Sequence, residues 1–409
     1  MTDAPLSVKL RKCLSGEKTP RCALHPWIFS GAIDHAPDNL PPGSTVRILD
    51  VKNNFIGYGH YNPLSKIRIR ILSTDEDSLP DDEFIFGKIR NAVDARKKMK
   101  INSTAARMVF SESDFLPGLV ADKYGDFASI QCLTAGMDLR KEMITRFMIE
   151  TAGVSTVVER DDCEIRRHEG LPLVKGIMAG RTDVSTALRI EENGYTFFTD
   201  ILQGQKTGFY MDQRENRCKV AQFATDGMDI LDCFSFTGAF SVHTAPDARS
   251  LTLIDESQAA LGIAEKNLAE NGFSAIQKEF ICDNAFHHLR KMRDKALSFD
   301  MIILDPPKFA PGHAYAEKAA KGYKDINLLA MKLLRNNGIL CTFSCSSAIS
   351  RENLMDIIFM AARDCGVRVK ILSIMGQSPD HPILLNFPES EYLKGYVCKI
   401  VRACSKRSS

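Results

Sequence analysis

Two short stretches hold residues whose types and spacing suit chemistry. FDMIILDPPKF (299–309) runs an apolar segment straight into Asp305-Pro306-Pro307. The two prolines stiffen that turn and remove two N–H donors, so the Asp305 carboxylate is held where a strand ends. FSCSS (343–347) places Cys345 just beyond a second apolar run, flanked by Ser344, Ser346 and Ser347. An isolated cysteine is ordinarily a small buried hydrophobe, and Cys341 inside the run fits that description. Cys345 is placed differently. A thiolate at a strand end can add to an electron-poor ring carbon and so make the neighbouring carbon nucleophilic. Asp305 would stabilise such an adduct as a proton donor or relay. A free thiol titrates near ~8.5, so such a site must favour the thiolate.

These turns need a sheet to carry them. DILDCFSFTGAF (229–240) reads as strand, Thr237-Gly238 turn and a helix beginning near Ala239, the first unit of a doubly wound α/β sheet. The free N–H groups and dipole of that helix start suit the carboxylate of S-adenosylmethionine, or a phosphate. Phe234, Thr237 and Gly238 are therefore candidate cofactor contacts. LTLIDES ends a second strand in Asp255, about 20 residues further on, the spacing at which an acid accepts from both ribose hydroxyls. Asp283, after FIC, stands at a third strand end, where an acid would meet an adenine amine. Either aspartate alone also fits a helix N-cap. Acids at successive strand ends favour a cofactor site, which Asp305 and Pro306 would border. The glycine pattern is not GxGxxG, which weighs against a dinucleotide dehydrogenase.

The rest of the chain divides into parts. Residues 1–75 form a β-rich unit, with runs such as TVRILDV, FIGYGHYNP and KIRIRILS separated by turn residues. Alternation puts Lys66, Arg68 and Arg70 on one sheet face, either a phosphate-contacting surface or the wet side of the sheet. This region holds about ten Lys/Arg against about five Asp/Glu, although the whole chain carries a formal charge of only +2. Residues 76–190 form a central α+β domain. It opens on a helix with Ile85, Ile89, Ala92, Val93 and Arg96 on one face. Asp114, Asp122 and Asp126 within it read as scattered surface acids. Residues 191–409 form the α/β domain. Its first part, 191–218, has an Asn193-Gly194 hairpin turn and the polar string QGQKTGFYMDQRENR. Glycines 204 and 208 there suggest backbone passing close to a ligand.

The chain resembles the RlmI-like 23S rRNA cytosine-C5 methyltransferases over nearly its whole length. The resemblance rests on GEKTPRCALHPWIFSGAI, YNPLSKIRIRILS, GQKTGFYMDQRENR, the Asp-Pro-Pro and SCS turns, and the tail DHPILLNFPESEYLKG. It implies an N-terminal PUA domain that binds RNA, a central α+β domain and a C-terminal Rossmann-like class I methyltransferase fold using S-adenosyl-L-methionine. It further implies Lys206, Tyr210 and Gln213 in the cofactor pocket, and Arg214 of the same segment toward RNA; Lys308, close to Asp305, is a candidate either for the base that resolves the adduct or for a phosphate contact. The catalytic pair becomes Cys345 with Asp305, and the partner 23S rRNA or a ribosomal precursor. The tail from 380 to 400 is expected to form the last hairpin of the sheet. Two departures stand out. The glycine turn reads TGAF where a second glycine is common, and no cysteine accompanies Asp305. The base that resolves the adduct is not identified.

Other readings stay open: a base N-methyltransferase acting at guanine N7, which needs no nucleophilic cysteine, or an RNA-binding protein without catalysis. No apolar run reaches the ~18 residues of a membrane helix, and the first residues lack a signal-type apolar core, so a cytoplasmic protein is expected. The 12 cysteines show no metal spacing, and no metal is expected. A homodimer is the oligomer considered, but the sequence does not fix it.

Overall fold

The apolar runs of the α/β domain do not alternate, as expected of strands buried on both faces. In the computed structural model, which describes residues 5–11, 24–183, 187–309 and 316–402, they form a seven-stranded sheet. Its strands are β1 (Met228–Cys233), β2 (Ala248–Asp255), β3 (Gln277–Cys282), β4 (Phe299–Leu304), β5 (Leu334–Ser344), β6 (Val367–Gly376) and β7 (Lys394–Arg402). The order is β3-β2-β1-β4-β5-β7-β6, with β7 antiparallel to both its neighbours and the β3-to-β5 pairings parallel. Helices Gln258–Glu270, Ala285–Asp294 and Arg351–Cys365 start at Ser257, Asn284 and Ser350, whose side chains each accept an N–H of the first turn. Leu231, Leu304, Tyr323, Ile326, Leu340 and Ile358 belong to the core that joins sheet and helices.

The chain separates into two compact units. The first holds residues 1–190, 200–211 and 379–390; the second holds 191–199, 212–378 and 391–409. In the first, one six-stranded sheet is built from strands between Ser7 and Ser73, and a five-stranded sheet from strands between Ala105 and Ala179. Helices Asp82–Lys98 and Lys141–Ala152 accompany the second sheet. The expected inward face of the first of these helices, including Ile85, Ile89, Val93 and Arg96, is buried. The GEKTPRC part of the N-terminal motif lies outside the described residues. The Asn193-Gly194 turn forms as expected, with φ of 51° and 86°. No helix among the described residues is long and apolar enough to cross a membrane.

Three expectations are corrected here. Arg70 shares a face with Arg68 but is itself packed: it is 8% exposed and ion-paired to Glu112 and Glu169 at 3.1 and 3.2 Å. An arginine so committed is not an RNA contact. Lys66 is exposed, and half-buried Arg68 donates to the Asn62 carbonyl at 3.1 Å. The acids of the central region are not all on the surface. Asp122 is fully buried, ion-paired to Arg107 and accepting from the Thr207 hydroxyl at 2.6 Å, while Asp114 pairs with Arg96. Finally, only Lys394 onward in the tail joins the sheet. Residues 379–390 belong to the first unit, where the Asp380 carboxylate accepts from the Arg107 N–H at 3.0 Å.

Candidate active site

Parallel pairing of β4 with β5 matches Leu304 to Thr342. Asp305 and Cys345 therefore stand just past the carboxyl ends of adjacent strands, where ligands sit in such sheets. The two turns meet: the Cys345 Sγ lies 3.9 Å from the Pro306 carbonyl oxygen. The Asp305 N–H donates to the Cys233 carbonyl at 3.4 Å, which ties this turn to β1 as well. Asp305 and Cys345 are half-buried, Pro306 is buried, and Lys308 is exposed. Cys341, by contrast, is fully buried, and burial pushes its thiol well up from the ordinary value. One helix beneath the site, Ala316–Leu333, contributes Tyr323, whose ring packs on Phe309 at 4.6 Å. Burial first, then the neighbouring Cys345, pushes the Tyr323 hydroxyl up.

The β1 turn is more unusual than its sequence suggested. Phe234, Phe236 and Gly238 all have positive φ, at 62°, 47° and 72°. Two phenylalanines in the left-handed region store strain, which clusters at ligand sites. Three N–H groups of this turn are taken within the protein: Ser235 donates to the Ile254 carbonyl at 3.1 Å, Phe236 to Asp255 at 2.9 Å and Gly238 to the Ser235 carbonyl at 2.8 Å. The helix that follows, Ala239–Thr244, has only six residues, so the helix dipole expected there is small. A Cβ at Gly238 would sit 2.8 Å from that of Ala264, so glycine is needed on two grounds.

Asp255 and Asp283 are not the N-caps; Ser257 and Asn284 are. Asp255 accepts from the Phe236 N–H at 2.9 Å and the Ser257 N–H at 2.8 Å, so it braces the β1 turn from β2. Asp283 accepts from His288 at 3.0 Å and Lys291 at 3.1 Å, and His288 and Lys291 hold its carboxyl well below the usual range.

The residue that sequence reasoning missed is Asp232. It sits within the buried run of β1, is 1% exposed, and accepts from the Ser241 hydroxyl at 2.7 Å. Its Oδ1 is buried and has no partner among the described residues, as are Ser235 Oγ and Thr237 Oγ1. Burial, and then the nearby Asp305 charge, push the Asp232 carboxyl up to about 7. An acid inside the apolar part of a strand, Ile230–Cys233, where all four residues are buried, was the signal available. The unpartnered Asp232 oxygen and the Ser235 and Thr237 hydroxyls fit the ammonium and carboxylate of S-adenosylmethionine. Asp232 would take the first, the two hydroxyls the second, and Asp255 the ribose diol.

The string 203–217 contributes unevenly. Lys206 is exposed with φ of 52°, and its ammonium lies 4.1 Å above the Tyr210 ring. Gln213 is 2% exposed, and its Nε2 has no partner among the described residues. Arg214 corrects an expectation: at 1% exposure, with its Nε donating to Glu215 at 3.2 Å, it does not present its charge to RNA.

A β3-β2-β1-β4-β5-β7-β6 sheet with acids at successive strand ends defines a Rossmann-like, S-adenosylmethionine-dependent methyltransferase. Family models agree. Residues 179–382 match an S-adenosylmethionine-dependent methyltransferase family, and residues 22–74 match a PUA-like domain. The chain belongs to the family of ribosomal RNA large subunit methyltransferase I. It is 37% identical over 379 residues to that protein from Alteromonas mediterranea, covering 92% of this chain and 95% of the relative. The Yersinia pseudotuberculosis relative of the same name is 36% identical over 380 residues, covering 92% and 96%. A solved structure described as a SAM-dependent methyltransferase from Streptococcus mutans shares the fold, with a TM-score of 0.80 at 20% identity. It covers 96% of this chain and 100% of that one.

Proposed function

We propose that this enzyme makes 5-methylcytosine in 23S rRNA, with Cys345 as nucleophile and Asp305 at the base edge. The observation that carries this is the meeting of the SCS and Asp-Pro-Pro turns, with Sγ 3.9 Å from the Pro306 carbonyl. Relatives named for large-subunit rRNA supply the substrate. The target base must leave its stack to reach a half-buried sulfur.

Bound S-adenosylmethionine supplies a methyl group on a sulfonium. The Cys345 thiolate adds to C6, and Asp305, as proton donor or relay, delivers a proton to N3, which leaves C5 nucleophilic. C5 takes the methyl group, a base removes the C5 proton, and the C6–S bond breaks to return the thiolate while N3 gives back its proton. Lys308 is exposed on the same turn and suits a phosphate contact. Lys66 and Arg68 play that part on the N-terminal sheet, which we assign to residues 1–75. A central domain then spans 76–190 and the methyltransferase domain 191–409, in a cytoplasmic enzyme.

The test is Cys345→Ala on rRNA containing 5-fluorocytosine. Loss of both methyl transfer and covalent trapping is expected. Full transfer by the variant would overturn the cytosine-C5 reading in favour of base N-methylation. A homodimer fits the open edge of β6, where Ile371, Leu372 and Ile374 are 41–65% exposed. Light scattering on the purified chain decides it; a monomer at micromolar concentration removes the dimer.

A further inference from the structure

We propose that Lys394 is a positioning residue for Cys345: it fixes the turn that carries the sulfur and supplies the buried positive charge that holds it as thiolate. This rests on the reading of Cys345 as the nucleophile. Lys394 opens β7 and pairs directly with Ser344, the last residue of β5. Its side chain does not reach solvent, being 4% exposed. The ammonium donates to the Ser346 carbonyl at 3.1 Å and to the Tyr392 carbonyl at 3.2 Å. Cys345 is thus the residue between Lys394's strand partner and its hydrogen-bond acceptor.

The charge on Lys394 needs an anion. A buried cation satisfied only by neutral carbonyls is costly, because carbonyl dipoles do not replace a counter-ion. Among the described residues no carboxylate lies within 4.0 Å of its ammonium. Glu391 acts on it from a distance but is bound to Arg351 at 2.7 Å. Arg351 and Lys308 add positive charge around it, and Cys345 is the remaining group that acts on it with negative charge. The helix Ala316–Leu333 also brings the Tyr323 hydroxyl to act with Cys345, and the turn after β4 brings Asp305. Burial lowers Lys394 from its ordinary value, and Glu391 and then Cys345 offset part of that. The coupling is mutual, since an adjacent ammonium favours thiolate over thiol.

The experiment follows alkylation of Cys345 by iodoacetamide as a function of pH in the full chain, resolved from the other cysteines by peptide mass spectrometry. In the wild type the apparent titration midpoint is expected below the ~8.5 of a free thiol. In Lys394→Gln, which keeps a donor for a carbonyl but loses the charge, it is expected to rise by about one unit, lowering the rate at pH 7 about tenfold. Lys394→Met should behave alike, and Lys394→Arg should restore the wild-type profile. A folded Gln or Met variant with the wild-type profile overturns the proposal. Should neither variant fold, a wild-type midpoint at or above the free-thiol value overturns it. Failure of the wild type to trap 5-fluorocytosine RNA, with the Lys394-dependent shift intact, would instead remove the cytosine reading and leave the Lys394–Cys345 coupling standing.

Discussion

At the amino end of β1, Asp229 accepts from Arg249 at 2.9 Å, from Ser250 at 2.7 Å and from Arg335 at 2.8 Å. Its neighbour Asp300 also binds Arg335 and accepts the Asp229 N–H at 3.0 Å. Three residues along the same strand, Asp232 has one hydroxyl partner and a buried oxygen with none. The two carboxylates respond in opposite directions. The Arg249 guanidinium holds Asp229 well below the usual range, while burial pushes Asp232 up to about 7. One end of the sheet is saturated and stabilises the fold. The other keeps polar groups unmet, at a cost in stability that a bound ligand can offset. The difference marks the carboxyl end as the working end without reference to any motif.

The contrast can be broken most sharply at the cysteine. Cys345→Ala should lower methyl transfer by ~10³-fold or more, the scale of losing a covalent nucleophile, while leaving the thermal unfolding midpoint within a degree or two. A variant that unfolds early but turns over normally would make Cys345 a packing residue.

Asp232→Asn comes next. Calorimetric titration should show S-adenosylmethionine affinity falling ~10–100-fold, as expected for losing one charged hydrogen bond. Stability at neutral pH should rise. The folded-state value lies above the ordinary 3.8, so ionisation opposes folding, and stability is lost as pH climbs from about 4 through about 7. Wild-type cofactor affinity should increase over the upper part of that window, and the asparagine variant should be flat. Equal slopes for the two proteins would remove Asp232 from the pocket.

Gly238→Ala should cost ~1–3 kcal/mol in denaturant unfolding, from the left-handed backbone and the 2.8 Å approach to Ala264. It should also weaken cofactor binding, because the same turn carries the unpartnered Ser235 and Thr237 hydroxyls. Asp229→Ala gives the mirror result: ~1–3 kcal/mol less stability with cofactor affinity unchanged. The Asp229 value is depressed, so its contribution is present above about pH 4 and disappears as pH falls further. A loss of affinity in this variant would mean that the two ends of the sheet are coupled.

Much of this was legible in one dimension. Apolar runs ending in Asp255, Asp305 and Cys345 identify strand ends, because backbone sterics and burial make a non-alternating run a two-faced strand. The Asn193-Gly194 hairpin and the helix over 82–98 follow from equally local rules. Long-range pairing was not legible. Arg70 is an RNA candidate by strand alternation and Arg214 by resemblance, and only their burial, that of Arg70 against Glu112 and Glu169, removes them. Lys394 looks like one of many tail lysines, until antiparallel pairing sets it opposite Ser344. Sequence by itself determined which strands end in residues of types suited to chemistry, since that depends on neighbours along the chain. Tertiary structure decided which charges are satisfied, which are left waiting and which one stands beside the cysteine, since those depend on partners up to 364 residues away, as for His25 and Glu389.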